Sequence, residues 1–307
     1  METTNLFLTD GGLETTLFFL EGFELPYFAA FDLLKYEKGY NAIKNYYIRY
    51  LKIAKEAKAS FILESPTWRA NPDWIEKIDY PKSAVVEINE KAIQLMVDLK
   101  REFENEIDTI IISGCVGPRG DGYKPENTMT VDDAQKYHSK QIEVFSNSPV
   151  DIISAITMTY VEEAIGIARA AAAVKLPVVI SFTVETDGKL PTGLSLKEAI
   201  EQVDENVNQL PLYFMINCAH PTHFINELID GQNEQWTKRI KGIRANASCK
   251  SHAALDEATE LDRGNPQQLG NAHKILKNTF THLNVFGGCC GTDEEHVFEI
   301  AKQVKTV

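Results

Sequence analysis

The stretch "PVVISFTVETDGKLPTGLSLKEAI", residues 177–200, holds a strand and the start of a helix in one short run. Its first part, Pro177–Val184, is too apolar for a strand with one face in water and is typical of a parallel strand covered on both faces. Ser195 followed by Glu198 is the capping-box pattern that begins a helix. The stretch therefore predicts a β-strand followed by an α-helix, the repeating unit of α/β folds.

The same unit recurs along the whole chain. Apolar runs that predict strands lie at Asn5–Asp10, Ser60–Ser65, Thr109–Cys115, Val150–Thr157, Pro177–Val184, Leu212–Cys218, Ile240–Ala247 and His282–Gly288. Helical patterns fill the gaps, including an apolar stripe from Val85 to Phe103 and a second capping box at Thr292 and Glu295. The repetition predicts one domain over residues 1–307, a single (β/α)8 TIM barrel of the α/β class. An open doubly wound sheet is the alternative, but the glycine fingerprint of its dinucleotide-binding form is missing after the first strand.

Composition and charge exclude several classes of partner. The chain has 307 residues and a formal net charge of −13, which would be repelled by nucleic acid and by anionic membranes. No stretch approaches the roughly 18 apolar residues of a membrane span, and the first residues lack the pattern of a secretion signal. Five cysteines, an odd number, fit reduced thiols better than a disulfide framework. We therefore expect a cytoplasmic protein, a monomer or small homo-oligomer, that acts on small molecules.

Four of the five cysteines stand at the C-terminal ends of predicted strands, where the active sites of such barrels form. Taken singly, Cys115 at a strand end and Cys249 just beyond one are interpreted as small buried apolar residues. Cys289 and Cys290 differ, because neighbouring side chains on a regular strand point to opposite faces. Both sulfurs can reach one point only if the backbone leaves the extended form, which Gly287, Gly288 and Gly291 permit. A vicinal disulfide is the rival interpretation, which a reducing compartment disfavours.

Cys218 completes a set of three thiols, because predicted strands six and eight flank strand seven. Three thiolates suit Zn²⁺ with its fourth position open, the arrangement of a catalytic rather than a structural zinc. A zinc with three anionic ligands activates water weakly, but it removes the proton of a coordinated thiol near neutral pH. The cluster therefore predicts attack of a thiolate on a methyl group of a sulfonium or ammonium donor. Such a reaction requires no catalytic residue beyond the metal-activated thiolate of the substrate.

At these residues the sequence resembles the homocysteine S-methyltransferase family, which includes betaine- and S-methylmethionine-dependent enzymes. The matching motifs are "DGGLETTL" (10–17), "SGCVGPRGDGY" (113–123), "SFTVETDGKLPTGLSLKEAI" (181–200), "NCAHP" (217–221) and "GGCCGT" (287–292). The resemblance implies a zinc-dependent barrel with Cys218, Cys289 and Cys290 as metal ligands. It implies homocysteine as the acceptor, methionine as the product, and S-methylmethionine, S-adenosylmethionine or betaine as the donor. Asp10 and Gly11 match the family's amino-acid-binding segment.

The fourth predicted strand departs from this family. There the family usually has a Glu that holds the ammonium group of the substrate, often followed by Thr, whereas this chain has Ile156 and Thr157. One hypothesis is that Glu64, at the end of the second strand, supplies the missing anion; the alternative is that Glu64 pairs with Arg69, Arg119 or Arg244. Thr157 and Asn217, at the ends of the fourth and sixth predicted strands, complete the predicted substrate-binding set with Asp10, Gly11 and Glu64. The seventh segment also departs, since "RANASCK" stands where the family shows a "PNSGE"-like stretch, and this predicts a different donor or acceptor.

Two other functions stay open from the sequence. A zinc-thiolate methyltransferase could act on another thiol or on a selenol, as Ile156 would permit. A protein of a different class would sense redox state or metal through its vicinal cysteines. For the methyl donor, the candidate aromatic contacts of its cationic group are Phe18, Phe19, Trp68 and Trp74, with a role in the core as the alternative for each.

Overall fold

A computed structural model describes residues 5–305 and contains a closed barrel of parallel strands. The strands are β1 (Phe7–Leu8), β2 (Ser60–Glu64), β3 (Ile110–Val116), β4 (Ile152–Met158), β5 (Val178–Phe182), β6 (Phe214–Asn217), β7 (Ile240–Ala245) and β8 (Val285–Gly288). Each strand pairs with the next in sequence, and β1 pairs with β8 to close the barrel. The predicted (β/α)8 barrel is confirmed, and the open doubly wound sheet is excluded. Each strand lies within or next to the apolar run that predicted it.

Helices alternate with these strands. They are α1 (Leu13–Thr15), α2 (Glu37–Ala57), α3 (Pro72–Lys77), α4 (Val85–Phe103), α5 (Val131–Ser146), α6 (Val161–Ala173), α7 (Leu196–Asn206), α8 (Pro221–Asp230), α9 (Gln235–Arg239), α10 (His252–Asp256), α11 (Pro266–Thr279) and α12 (Glu294–Val304). The apolar stripe that predicted α4 is largely buried against the barrel. No helix within residues 5–305 has the length and apolar character needed to cross a membrane.

One predicted capping box is confirmed and the other is wrong by one residue. Ser195 accepts a hydrogen bond from the backbone of Glu198 and begins α7 as predicted. At α12 the capping residue is Asp293, whose partner three residues on is His296. The hydroxyl of Thr292 donates instead to the carbonyl of Cys289, at 2.7 Å. Because this bond fixes Thr292 at the end of β8, the helix begins one residue later than the prediction.

The apolar core has two layers. The larger layer fills the space between the outer face of the barrel and the helices. A smaller cluster lies inside the barrel and consists of Phe7, Ile62, Cys115, Ile152, Ile156, Val179, Tyr213, Met215 and Val285. Because side chains fill this interior, we expect the binding site of the barrel at its mouth, at the C-terminal ends of the strands.

Candidate active site

The three cysteines that the sequence singled out meet at the barrel mouth. The sulfur atoms of Cys218, Cys289 and Cys290 all lie within 4.8 Å of one another. Cys218 and Cys289 are joined by a disulfide, while Cys290 is a free thiol whose Sγ lies 3.8 Å from that of Cys218. The predicted convergence of these thiols is present, at the ends of β6 and β8.

Backbone conformation brings these sulfurs together. Cys218 has a φ of +52°, a left-handed conformation that non-glycine residues rarely adopt, and it turns the chain at the end of β6. A β-carbon at Gly287 would collide with the hydroxyl of Thr9, and one at Gly288 with the hydroxyl of Thr292. The absence of a side chain at these two glycines therefore permits the hydroxyls of Thr9 and Thr292 to lie against the backbone of β8. Gly291, at φ +78°, adopts the positive φ that other residues rarely adopt.

The redox state differs from the sequence expectation. All five thiols were expected to be reduced, and the disulfide of this structure makes that expectation wrong. The bond is also not the vicinal one, since Cys289 pairs with Cys218 across a Cα–Cα distance of 5.3 Å, inside the usual range for a disulfide. Of the remaining cysteines, Cys115 is buried as expected and lines the mouth. The same expectation is wrong for Cys249, which is exposed on the surface.

A buried arginine forms the charged side of the mouth. Arg244, on β7, pairs through Nη2 with Asp10 Oδ1 at 2.7 Å and through Nη1 with the carboxylate of Glu64. Its Nε donates to the carbonyl of Gly288 at 3.1 Å. Asp10 also accepts from the hydroxyl of Tyr46 at 3.0 Å. Burial raises the pKa of Asp10, while the charge of Arg244 opposes that rise. The three charged groups carry a net charge of −1 when both carboxyls are ionised.

Of the three arginines named as alternative partners for Glu64, Arg244 is the one that pairs with it. Whether Glu64 also binds substrate stays a prediction. The sequence signal for Arg244 was a charged residue within an apolar run, "IKGIRANA", in which Lys241 is the other charged residue.

Glu14 is a further carboxylate in the mouth that the sequence analysis did not single out. It lies in α1, two residues beyond the glycine pair of "DGGLETTL", and lines the same pocket while half-buried. Within residues 5–305 it forms no ion pair and no hydrogen bond to another side chain. Burial raises its pKa to about 7. The available signal was a charged residue directly after a predicted strand end.

The polar residues predicted at β4 and β6 support each other. Asn217 accepts hydrogen bonds from the backbone N–H of Thr157 at 3.0 Å and from Ser181 Oγ at 2.7 Å, and donates to Thr157 Oγ1 at 2.9 Å. Thr157 has a φ of +66°, and the β4–β5 register shifts at this point. The amide of Asn217 thus stabilises an irregular strand end. Thr157 lines the pocket beside Ile156, whereas Asn217 lies behind it.

Aromatic residues cover the pocket. The hydroxyl of Tyr123 lies 3.4 Å from Cys218 Sγ and 3.5 Å from Cys290 Sγ, and its ring stacks on His252. Trp68 lines the pocket and donates from Nε1 to the carbonyl of Ile156 at 3.2 Å. The guanidinium of Arg69 lies 3.9 Å from the centre of the Trp68 ring. Of the four aromatic donor contacts proposed from the sequence, Trp68 is the one that lines this pocket.

The predicted residues other than Asn217 therefore share one pocket. Its lining includes Asp10, Gly11, Glu64, Thr157 and the three clustered cysteines, together with Glu14, Trp68, Tyr123 and Arg244. Sulfur atoms, charged groups and an apolar wall thus face one small space at the C-terminal end of the barrel strands.

Comparisons with known proteins agree with this arrangement. The sequence pattern of the family described as homocysteine S-methyltransferase matches residues 7–304. The fold is similar to that of the homocysteine methyltransferase MmuM from Escherichia coli in its metallated form, with a TM-score of 0.76 and 17% identity over 97% of this chain and 96% of that one. The oxidized form of MmuM gives the same TM-score and identity, over 97% of this chain and 95% of that one. Its apo form gives a TM-score of 0.69 at 16% identity, over 98% of this chain and 96% of that one. No curated protein sequence matches the chain.

Proposed function

Because the chain belongs to the homocysteine S-methyltransferase family, we propose that it moves a methyl group from a sulfonium or ammonium donor to homocysteine, giving methionine. The observation that carries the proposal is the meeting of Cys218, Cys289 and Cys290 in one pocket with charged groups suited to an amino acid. A thiol-binding end and a charge-binding end are the two features that a small amino-acid thiol requires.

We propose Zn²⁺ as the metal, held by these three cysteines. Sulfurs that bind zinc tetrahedrally at about 2.3 Å lie about 3.8 Å apart, which is the Sγ–Sγ distance of 3.8 Å between Cys218 and Cys290. The disulfide between Cys218 and Cys289 must first be reduced, a step that takes two electrons and two protons from a thiol reductant. When bound, zinc would lower the pKa of an acceptor thiol and so supply a thiolate near neutral pH.

The remaining residues bind and orient the two substrates in this proposal. Asp10 and Gly11 contact the amino-acid end of the acceptor. Glu64 acts through Arg244, whose position at the pocket wall it fixes together with Asp10. Thr157 forms part of the wall at the end of β4, and Asn217 positions it from behind.

Methyl transfer itself needs no acid or base from the protein. The acceptor sulfur forms a bond to the methyl carbon while the bond from that carbon to the donor sulfur or nitrogen breaks. The electron pair of the broken bond stays with the donor, which becomes neutral at that atom. Trp68 and Ile156 form an apolar wall of the pocket. Because Arg69 covers one face of Trp68, a cationic donor would use the other face.

One experiment tests the whole proposal. The protein is reduced, loaded with zinc and analysed for bound metal, and methionine formation from homocysteine is then measured with S-methylmethionine, S-adenosylmethionine and betaine in turn. We expect about one zinc per chain and methionine from at least one donor. Bound zinc without methionine from any donor would favour another thiol or a selenol as the acceptor. Absence of zinc from the reduced protein would contradict the metal site.

The Cys218–Cys289 disulfide favours one second function, a redox-responsive metal protein. Oxidation would remove two of the three ligands, and reduction would restore them. Titration in glutathione redox buffers, followed by thiol counting and zinc analysis, tests this function. A protein that stays reduced and zinc-bound throughout physiological glutathione ratios would rule it out.

A further inference from the structure

Resting on the proposed function, we propose that Glu14 binds the ammonium group of the amino-acid acceptor. The end of β4 offers no carboxylate for this group, because Ile156 stands there. Ile156 is 6% exposed and lies in the apolar cluster inside the barrel. The recognition of the cation must therefore come from another part of the mouth.

The charges of the mouth single out Glu14. Three carboxylates line the pocket, and two of them, those of Asp10 and Glu64, are bonded to the guanidinium of Arg244. Glu14 has no such partner among the described residues. A desolvated carboxylate without a cation is unfavourable, and an ammonium group entering the pocket would remove that penalty.

Among residues 5–305, no side chain takes the place of such a cation. Arg69 is the other guanidinium that acts on Glu14, but its group stacks between Trp68 and Trp74, at 3.9 and 3.8 Å from their ring centres. Arg69 also donates from Nη1 to the carbonyl of Gly120 at 2.9 Å. Its position is thus fixed by stacking and by the backbone rather than by Glu14.

Glu14 and the cysteine cluster line the same pocket, so one small molecule can contact both. Glu14 lines it together with Cys289 and Cys290. Its carboxylate is also close enough to the buried thiol of Cys115 and the half-buried thiol of Cys290 to act on both electrostatically. An acceptor whose sulfur lies at the cysteine cluster would thus carry its ammonium group toward Glu14. This geometry favours α-amino thiols over simple alkyl thiols as acceptors.

Binding of two matched thiols tests the proposal. Homocysteine and 4-mercaptobutyrate differ only in the amino group, and their affinities for the reduced, zinc-loaded protein are measured by calorimetry. We expect the wild-type protein to prefer homocysteine by roughly 10- to 100-fold, the range of one hydrogen-bonded charge pair. Glu14→Gln should abolish this preference while leaving the affinity for 4-mercaptobutyrate unchanged. Glu24→Gln, at an exposed carboxylate outside the pocket, is the matched control and should keep the preference.

The outcomes separate this inference from the proposed function. If Glu14→Gln keeps the preference for homocysteine, the role of Glu14 is wrong and the methyltransferase proposal stands. Equal binding of both thiols by the wild-type protein overturns the inference in the same way. If Glu14→Gln lowers the affinity for both thiols equally, Glu14 only maintains the shape of the pocket and the inference is again overturned. If the wild-type protein binds neither thiol, the proposed function fails first and the inference fails with it.

Discussion

The sulfur side and the charged side of the barrel mouth are built in different ways. On the sulfur side, two of the clustered cysteines are neighbours in sequence at the end of β8, and the third lies at the end of β6. On the charged side, Arg244 reaches Asp10 and Glu64, which precede it by 234 and 180 residues. The local backbone conformation brings the sulfur atoms together, whereas the attraction between opposite charges holds the charged side chains together.

This difference predicts different consequences for substitution. A sulfur removed from the cluster takes away a proposed metal ligand but leaves no unpaired buried charge. The guanidinium removed from the charged side would leave two buried carboxylates without a counterion. Variants on the sulfur side should therefore lose metal binding and activity, and variants on the charged side should have a lower free energy of unfolding.

The largest effect is expected from Cys290→Ala. Cys290 is the free thiol of the cluster, so its removal leaves the reduced protein with two thiolates, too few for a stable catalytic zinc site. Zinc content after dialysis should fall close to zero, and methionine formation should fall below detection. The exposed Cys249 provides the control, because Cys249→Ala should retain both the metal and the activity. A zinc-replete, active Cys290→Ala protein would show that this cysteine is not a ligand.

Arg244→Met tests the charged side. The substitution leaves Asp10 and Glu64 buried without their cation, which should lower the free energy of unfolding by about 3–5 kcal/mol. Urea denaturation near neutral pH measures this change. Addition of Glu64→Gln to Arg244→Met should restore part of the loss, since one of the two unpaired charges is then removed. Arg101→Met is the control at a side chain that is 71% exposed, and little change is expected there. A loss below about 1 kcal/mol for Arg244→Met would mean that the pairs contribute no more than surface pairs do.

Glu14 should make stability depend on pH. Its pKa of about 7 in the folded protein lies above the ordinary value of 4.5, so the folded state binds the proton more tightly than the unfolded state does. The stabilisation is complete below pH 4.5 and is lost as the pH rises through 7. Relative to Glu14→Gln, the wild-type protein should lose about 1–3 kcal/mol between pH 5 and pH 8.

Unfolding free energies of the two proteins at both pH values provide this measurement. The groups that act on Glu14 are Asp10, Arg244 and Arg69, and all of them are present in both proteins. Their contributions therefore cancel in the comparison to first order. A difference between wild type and variant that does not change with pH would show that Glu14 is solvated like a surface carboxylate.

The same contrast explains what the sequence could predict. Strand positions and the cysteine cluster depend on local patterns, which are an apolar run, a glycine pair and the spacing of strand ends. These features were predicted from the residues themselves and from the family resemblance. The pairing of Glu64 with Arg244 was only one of three alternatives, because nothing local decides which of several arginines a carboxylate meets.

Features that depend on which side chains pair with one another in the folded protein were not predicted from the sequence. Glu14 stands out only when the other two carboxylates are seen to share one arginine, which requires the folded barrel. The Cys218–Cys289 bond depends on the left-handed conformation of Cys218, a backbone state that its sequence neighbours do not specify. The shifted start of α12 likewise follows from a tertiary contact, since Thr292 bonds to the end of β8.

The smallest effect is expected from Tyr123→Phe, which removes only a hydroxyl near the sulfurs. That hydroxyl lies 3.4 Å from Cys218 Sγ and 3.5 Å from Cys290 Sγ, and burial raises the pKa of Tyr123, so the group stays protonated and can donate to thiolates. Loss of one such donor should weaken zinc binding by about 2- to 10-fold, measured by competition with a chelator. Tyr27→Phe, at a ring that is 56% exposed, should leave the affinity unchanged. Tighter zinc binding by Tyr123→Phe would instead mean that the hydroxyl competes with the metal for the sulfurs, and the sulfur side would then depend on more than its backbone.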